Sequence, residues 1–156
     1  MKKMIVGSIA VVSVIIGITI YFLNVQSIDT KYAINYSKVI GSYDITKLDR
    51  YLNESTTITY KGVTKTYKEL RPNVATAFND KIFKMEQGSS YGYGDKFING
   101  ILEIAVNVFV TFENQMNFDD ETVYMKLSQE GIYKFGIKSL EGNGAFFGYL
   151  FFGILE

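Results

Sequence analysis

Residues 101–113 read ILEIAVNVFVTFE, and their alternation decides the architecture. Successive side chains of an extended chain point to opposite faces, so Leu102, Ile104, Val106, Val108, Val110 and Phe112 form one apolar row. Glu103, Ala105, Asn107, Phe109, Thr111 and Glu113 form the other. Ala105 and Phe109 make this second row partly apolar, which predicts a long strand covered on both sides near its middle. Downstream, Val123, Met125 and Leu127 alternate with Tyr124 and Lys126. Tyr133, Phe135 and Ile137 alternate in the same way with Lys134, Gly136 and Lys138, and the two runs predict two further antiparallel strands. Residues 114–121 between them are polar and rich in turn formers, and read as a solvated turn. The closing stretch GNGAFFGYLFFGILE is too short to span a bilayer and too aromatic to be solvated. It is expected to pack into the core, the competing reading being contact with a membrane or a partner.

Upstream of the long strand the period changes from two to between three and four. Ile28, Tyr32, Tyr36, Val39 and Ile40 predict an amphipathic helix over 28–40, ended by Gly41. Asp44 is placed to cap a second short helix with Ile45, Leu48, Tyr51 and Leu52 on its buried side. TTITYKGVTKTY, residues 56–67, is β-branched and aromatic around Lys61 and Gly62, and reads as a hairpin or as one strand and a loop. Thr66 and Glu69 have capping-box spacing. Because Pro72 is tolerated only near a helix start, a short turn and then a helix from about Pro72 are expected, burying Val74, Ala75, Phe78 and Ile82.

The N-terminus has a different character. Met4 to Leu23, MIVGSIAVVSVIIGITIYFL, carries no charge and no proline, and as a helix it would cover about 30 Å, the thickness of bilayer hydrocarbon. A secretory signal would have a shorter apolar core and small residues at a cleavage site, whereas here Tyr21 and Phe22 follow, the aromatics of a membrane interface. Residues 1–26 are therefore expected to be a retained single-pass anchor and residues 27–156 one domain. Lys2 and Lys3 precede the span, which predicts a cytoplasmic N-terminus and an extracytoplasmic domain in the cell membrane.

Composition narrows the chemistry. Residues 27–156 hold 14 of the 16 basic and all 16 acidic residues, a net charge of −2, which argues against nucleic acid as a partner. Histidine and cysteine are both absent from the chain. With them go the usual general base, the thiol nucleophile and the commonest zinc ligands. No cofactor motif is present: GSSYGYG (88–94) lacks the Lys and Ser or Thr of a phosphate loop, and its glycines read as relief for strand curvature. Asp119, Asp120 and Glu121 with Asn117 lack the ligand spacing and glycine of a calcium loop, so no metal site is expected. The N-x-S sequons at Asn35 and Asn53 are commonplace and carry no assignment.

YSKVIGSYDITKLDRYLNESTTITYKGVTKTYKEL, ILEIAVNVFVTFEN and TVYMKLSQEGIYKFGIKSL, in this order, resemble the NTF2-like (cystatin-like α+β) superfamily over about residues 30–140. Gly131, Tyr133, Lys134 and Phe135 look like the closing G-x-W-K-I of many members, with Tyr in place of Trp. The resemblance implies an α+β fold in which three helices pack on a curved antiparallel sheet, forming a cone. Superfamily members include enzymes, binding modules and structural adaptors, so fold alone does not name an activity. Some isomerases and dehydratases of this kind act from inside the cone with Asp, Tyr or His. The candidates here would be Asp44, Asp95, Glu103, Tyr91 and Tyr93, with Tyr91, Tyr93 and Glu103 as possible pocket residues. No catalytic set is assigned, and the chain is expected not to be an enzyme. The expected function is binding or assembly at the cell surface, through protein partners or self-association, with a small-ligand or lipid receptor as the alternative and a carboxylate-dependent isomerase or hydrolase third. In layout the chain also resembles the anchored NTF2-like subunits of conjugative secretion machines, which are commonly longer.

Overall fold

The computed structural model describes residues 13–17, 28, 30–91, 97–113, 118–131 and 135–154. Residues 13–17 are helical, and Val14, Ile15 and Ile16 there are more than half exposed. Among the described residues no helix is long and apolar enough to cross a membrane. The rest of the expected 4–23 span lies outside them.

Helix α1 (30–40) buries Ala33, Tyr36 and Ile40, with Tyr32 and Val39 half-buried beside them. It closes where the Gly41 amide donates to Ser37 O at 2.9 Å. Tyr43 follows with φ 51, a left-handed conformation rare for an aromatic residue. There its ring meets Phe83 and the edge of Phe78, with centroids 5.0 and 6.0 Å away. Helix α2 (Ile45–Tyr51) starts at Asp44, whose carboxylate accepts from the amides of Thr46 and Lys47 as expected.

Strands β1 (Thr57–Tyr60) and β2 (Val63–Thr66) form a hairpin closed by Lys61 and Gly62, with φ of 47 and 82. Positive φ at both central residues marks the turn whose twist matches the flanking strands. Helix α3 (Tyr67–Asp80) begins at the capping box of Thr66 and Glu69, five residues before the expected start at Pro72, which lies inside the helix. The box satisfies orphan amides at the helix start, and burial of Tyr67 and Leu70 adds to it against the hydrogen bond lost at the proline. The earlier start brings Tyr67 and Leu70 into the core with Val74, Ala77 and Phe78, while Ala75 is half-buried and Ile82 lies beyond the helix.

Strands β3 (Phe83–Tyr91), β4 (Phe97–Ile98), β5 (Ile101–Phe112), β6 (Phe118–Gln129) and β7 (Phe135–Gly142) complete a curved sheet of order β2-β1-β7-β6-β5-β3, with β4 pairing β5. Its pairs are antiparallel with one exception: β1 runs parallel to β7, Ile58 beside Leu140. The sheet is therefore mixed and not purely antiparallel, because β1, besides its hairpin with β2, is laid along the last strand in the same direction. Register shifts between Glu86 and Ser89 and between Lys126 and Leu127 mark bulges, which bend a sheet. β5 presents the expected inner row, with Leu102, Ile104, Val106, Val108 and Val110 sealed from solvent, and Ala105 is buried on the opposite side.

One reading changes downstream. Residues 118–121 are not a turn but the first part of β6, where Glu121 pairs with Val108 and is buried. Long pairing with β5 gives these polar residues ladder bonds that a turn would not. The C-terminal stretch forms a short helix α4 (Ala145–Phe147) that opens into a π-helical turn, Gly148–Phe152. Phe146, Phe147, Leu150 and Phe151 are each 0% exposed, so the stretch is core, as expected. Gly148 permits this approach, since a Cβ there would fall 2.6 Å from Cζ of Tyr60.

Candidate functional site

β6 and α1 bring polar side chains into the interior of the curved sheet, at the end closed by α4. The inward row of β6 is Glu121, Val123, Met125 and Leu127, all buried. Glu121 is held by α4, its carboxylate accepting from the amides of Phe146 and Phe147 at 2.5 and 3.1 Å. Gly144, the residue before α4, supplies no side-chain cap, so Glu121 fills that role from a distant strand. A negative charge at a helix start is favourable, and two charge-assisted bonds stabilise it. Gly144 also gives the carboxylate its space, because a Cβ there would lie 2.0 Å from Cδ of Glu121.

Facing it, Tyr36 of α1 is fully buried and its hydroxyl has no hydrogen-bond partner. Burial, and then the charge of Glu121, push this phenol far above its ordinary range, so it stays protonated. The Tyr60 hydroxyl is likewise buried and unpaired. A buried hydroxyl without a partner carries a desolvation cost that a water or ligand would relieve.

Among the described residues, two surface clefts are lined in part by polar groups. One of about 560 Å³ lies between α1 and β3 and is lined by Ile34, Ser37, Lys38, Gly41, Met85 and Glu86. The other, about 330 Å³, lies where α1 starts and includes Lys31, Tyr32, Arg50, Tyr51, Glu130 and Phe135. Beside the second, Asp49 forms a bidentate pair with Arg71, both bonds 2.8 Å, and accepts the Tyr67 hydroxyl at 2.8 Å. The Arg71 hydrogen bonds hold the Asp49 carboxyl below its usual range.

The residues singled out in the sequence are not assembled into one place. Glu103 stands on the outward row of β5 and pairs with Lys126 at 3.0 Å, both about half exposed, so it does not line the interior. Tyr91 closes β3 opposite Ala105 in the register, while Tyr93 and Asp95 lie outside the described residues. Asp44 is engaged in capping α2. Of the acidic run, Glu121 alone has a described side chain, and it is tied to α4; no acidic cluster able to hold a metal is found among the described residues. Sequence reading missed Glu121 and Tyr36 as interior polar groups. Extending the alternation of Val123, Met125 and Leu127 back by two residues would have placed Glu121 on the inward row.

No protein-family model matches this chain, and no curated protein sequence does. Solved structures do. A domain of unknown function with a cystatin-like fold from Nostoc punctiforme superposes with a TM-score of 0.60 at 14% identity, over 76% of this chain and 75% of that one. An NTF2-like protein from Cytophaga hutchinsonii gives 0.56 at 10% identity, covering 76% and 97%. The fold is NTF2-like. A third such protein, from Shewanella oneidensis, gives 0.58 at 8% identity over 73% and 94%. At these identities the likeness extends to the fold and not to an activity. In this NTF2-like fold Phe146 meets Phe83 at 4.8 Å and Phe112 at 6.2 Å, placing the C-terminal segment across the space between sheet and helices.

Proposed function

We propose that the chain is a membrane-tethered, non-catalytic domain that works by binding or assembling with other proteins through its outer surface at the cell surface. The observation that carries the reading is the sealed C-terminal segment. Phe146, Phe147, Leu150 and Phe151, each at 0% exposure, take up interior space that a ligand chamber would need, which supports the reading. Recognition then falls to the outside. The tether is supported by the uncharged run 4–23 and by the exposed apolar helical residues Val14, Ile15 and Ile16 within it. Thr30, in α1, follows Leu23 by only seven residues, which keeps the domain near the bilayer and raises its effective concentration towards membrane partners.

The test has two parts. Alkaline washing of membranes should leave the full chain in the pellet with its N-terminus intact, and protease added outside intact cells should remove the domain. Crosslinking in those cells should then yield a discrete higher-mass species. A mature N-terminus near Ser27 overturns the tether, and recovery of monomer alone overturns assembly.

A second reading, catalysis or ligand binding inside the domain, rests on the unpaired Tyr36 hydroxyl facing Glu121. The carboxylate is already engaged by two amides, which weakens it as a general base. Substitution of Tyr36 separates the two readings.

A further inference from the structure

Between the buried Ile40 of α1 and the buried Leu48 of α2 runs the corner 41–47, whose residues are all half-buried or exposed. Tyr43 and Ile45 are its side chains that pack on the core. The main chain of the corner bonds to carbonyls close by in sequence: Gly41 N–H donates to Ser37 O at 2.9 Å, Ser42 to Val39 O at 3.3 Å and Tyr43 to Ile40 O at 3.2 Å. Its tie to the sheet is the Tyr43 hydroxyl, which donates to Phe83 O in β3.

That tie is made from an unfavourable backbone. Tyr43 holds φ 51, where glycine or asparagine is usual because a Cβ crowds the following carbonyl. The compensation lies in the ring, which meets Phe83 at 5.0 Å and the edge of Phe78 at 6.0 Å. Closure of the corner is therefore a balance, with ring contacts and one hydrogen bond holding a strained residue in place. Beside it the packing stops. The cleft of about 560 Å³ parts Ile34, Ser37 and Lys38 of α1 from Met85 and Glu86 of β3. Gly41 stands at its rim, an added Cβ lying 3.0 Å from Ser37 O and 3.6 Å from Cβ of Met85. Glycine thus lets the chain turn close against β3, and the cleft gives the corner room to move.

We propose that residues 41–47 form a flap with Tyr43 as its catch, pivoting at Gly41 and opening as a unit while the sheet and α3 stay folded. Opening takes the Tyr43 ring off Phe78 and Phe83. The surface cleft then extends to Phe83, whose other neighbour is Phe146 of the C-terminal segment at 4.8 Å. A cleft that is shallow when closed becomes continuous with the aromatic core when open. The device requires neither the tether nor assembly.

Amide hydrogen exchange of the full chain in a non-ionic detergent, followed by NMR at urea concentrations below unfolding, tests it. The amides of Gly41, Ser42 and Tyr43 should share one protection factor, roughly tenfold or more below that of Val106 and nearly independent of urea, because a flap exposes little surface. Tyr43→Phe removes the catch bond and should speed all three about fivefold. The chain has no cysteine, so Gly41→Cys/Met85→Cys can serve as a lock, the Cβ separation of 3.6 Å lying in the disulfide range. Oxidised, this pair should slow Ser42 and Tyr43 roughly tenfold relative to its reduced form. Three amides that are unprotected, that differ from one another, or that match Val106 in rate and urea dependence overturn the proposal. So does a Tyr43→Phe variant without acceleration, or a disulfide that forms and leaves Ser42 and Tyr43 unchanged. If the disulfide does not form, the urea dependence of the parent and Tyr43→Phe decide the matter by themselves.

Discussion

The carboxylate of Glu121 lies 2.5 Å from the amide nitrogen of Phe146, joining the middle of the sheet to the first turn of the segment that fills the domain. Without it the amides of Phe146 and Phe147 would be buried donors facing no acceptor. Glu121→Ala should cost about 2–4 kcal/mol, since stranding buried donors exceeds the net worth of the bonds lost. Glu121→Gln keeps one acceptor oxygen and should cost about half as much. Equilibrium denaturation in urea measures both. A loss below 1 kcal/mol for Glu121→Ala would mean that α4 is capped by other means.

At the β1–β2 turn, Gly62 holds φ 82 with open space around the position of a Cβ. Substitution there meets no neighbour, so its whole effect comes from backbone strain. Gly62→Ala should destabilise by about 1–2 kcal/mol. Lys61 holds φ 47 in the same turn, and Lys61→Asn should stabilise by a few tenths of a kcal/mol, because Asn-Gly is preferred where both residues are left-handed. Thermal melts of the two variants should move in opposite directions.

What the sequence made legible follows from the range of the interactions involved. The Lys61–Gly62 hairpin, the Asp44 cap and the Thr66–Glu69 box are each decided within a few residues, and their signals stand in the chain itself. The long alternation of β5 was equally plain, because one buried face imposes period two over its whole length. The parallel pairing of β1 with β7 was not legible, since partners 82 residues apart, such as Ile58 and Leu140, leave no local mark. Glu121 was hidden for a related reason. An acidic residue beside two others reads as solvated, and the α4 amides that reverse this lie 25 and 26 residues further on. Glu103, on the row opposite the apolar one, is paired across the strands with Lys126, a contact that alternation within one strand does not disclose.

The Asp49–Arg71 pair makes a prediction about acid. The folded-state carboxyl of Asp49 is lowered, chiefly by its Arg71 hydrogen bonds, so the contribution is complete above the unfolded value of about 3.9 and is lost as pH falls through the lower folded value. The Asp49 side chain is 33% exposed, which limits the worth of the pair to about 1 kcal/mol. Asp49→Asn should therefore be less stable than the parent by that amount near pH 7, and the difference should shrink below about pH 4. Denaturation curves across pH 2–7 give the comparison. A difference that grows as the pH falls has the wrong sign and would exclude this pair as the cause.

Tyr36 separates the two readings of the interior. Its ring is fully buried and its hydroxyl is unpaired, so Tyr36→Phe removes a desolvated polar group while keeping the packing. If the interior is only core, the variant should be as stable as the parent or up to about 1 kcal/mol more stable. Phe151→Ala, in the same core, should cost about 3–5 kcal/mol through the cavity it leaves. If instead a water or ligand bonds the hydroxyl beside Glu121, Tyr36→Phe should lose about 1–2 kcal/mol. Stability alone would not tell water from ligand, so the measurement is paired with a hydroxyl-proton NMR signal for Tyr36, sought with and without added apolar carbonyl compounds such as a cyclic enone. A stabilised Tyr36→Phe, with no response of the parent to the enone, supports a closed core and surface recognition. A destabilised variant, with a Tyr36 signal that shifts on adding the enone, would place binding inside the domain and reverse the order of the two readings.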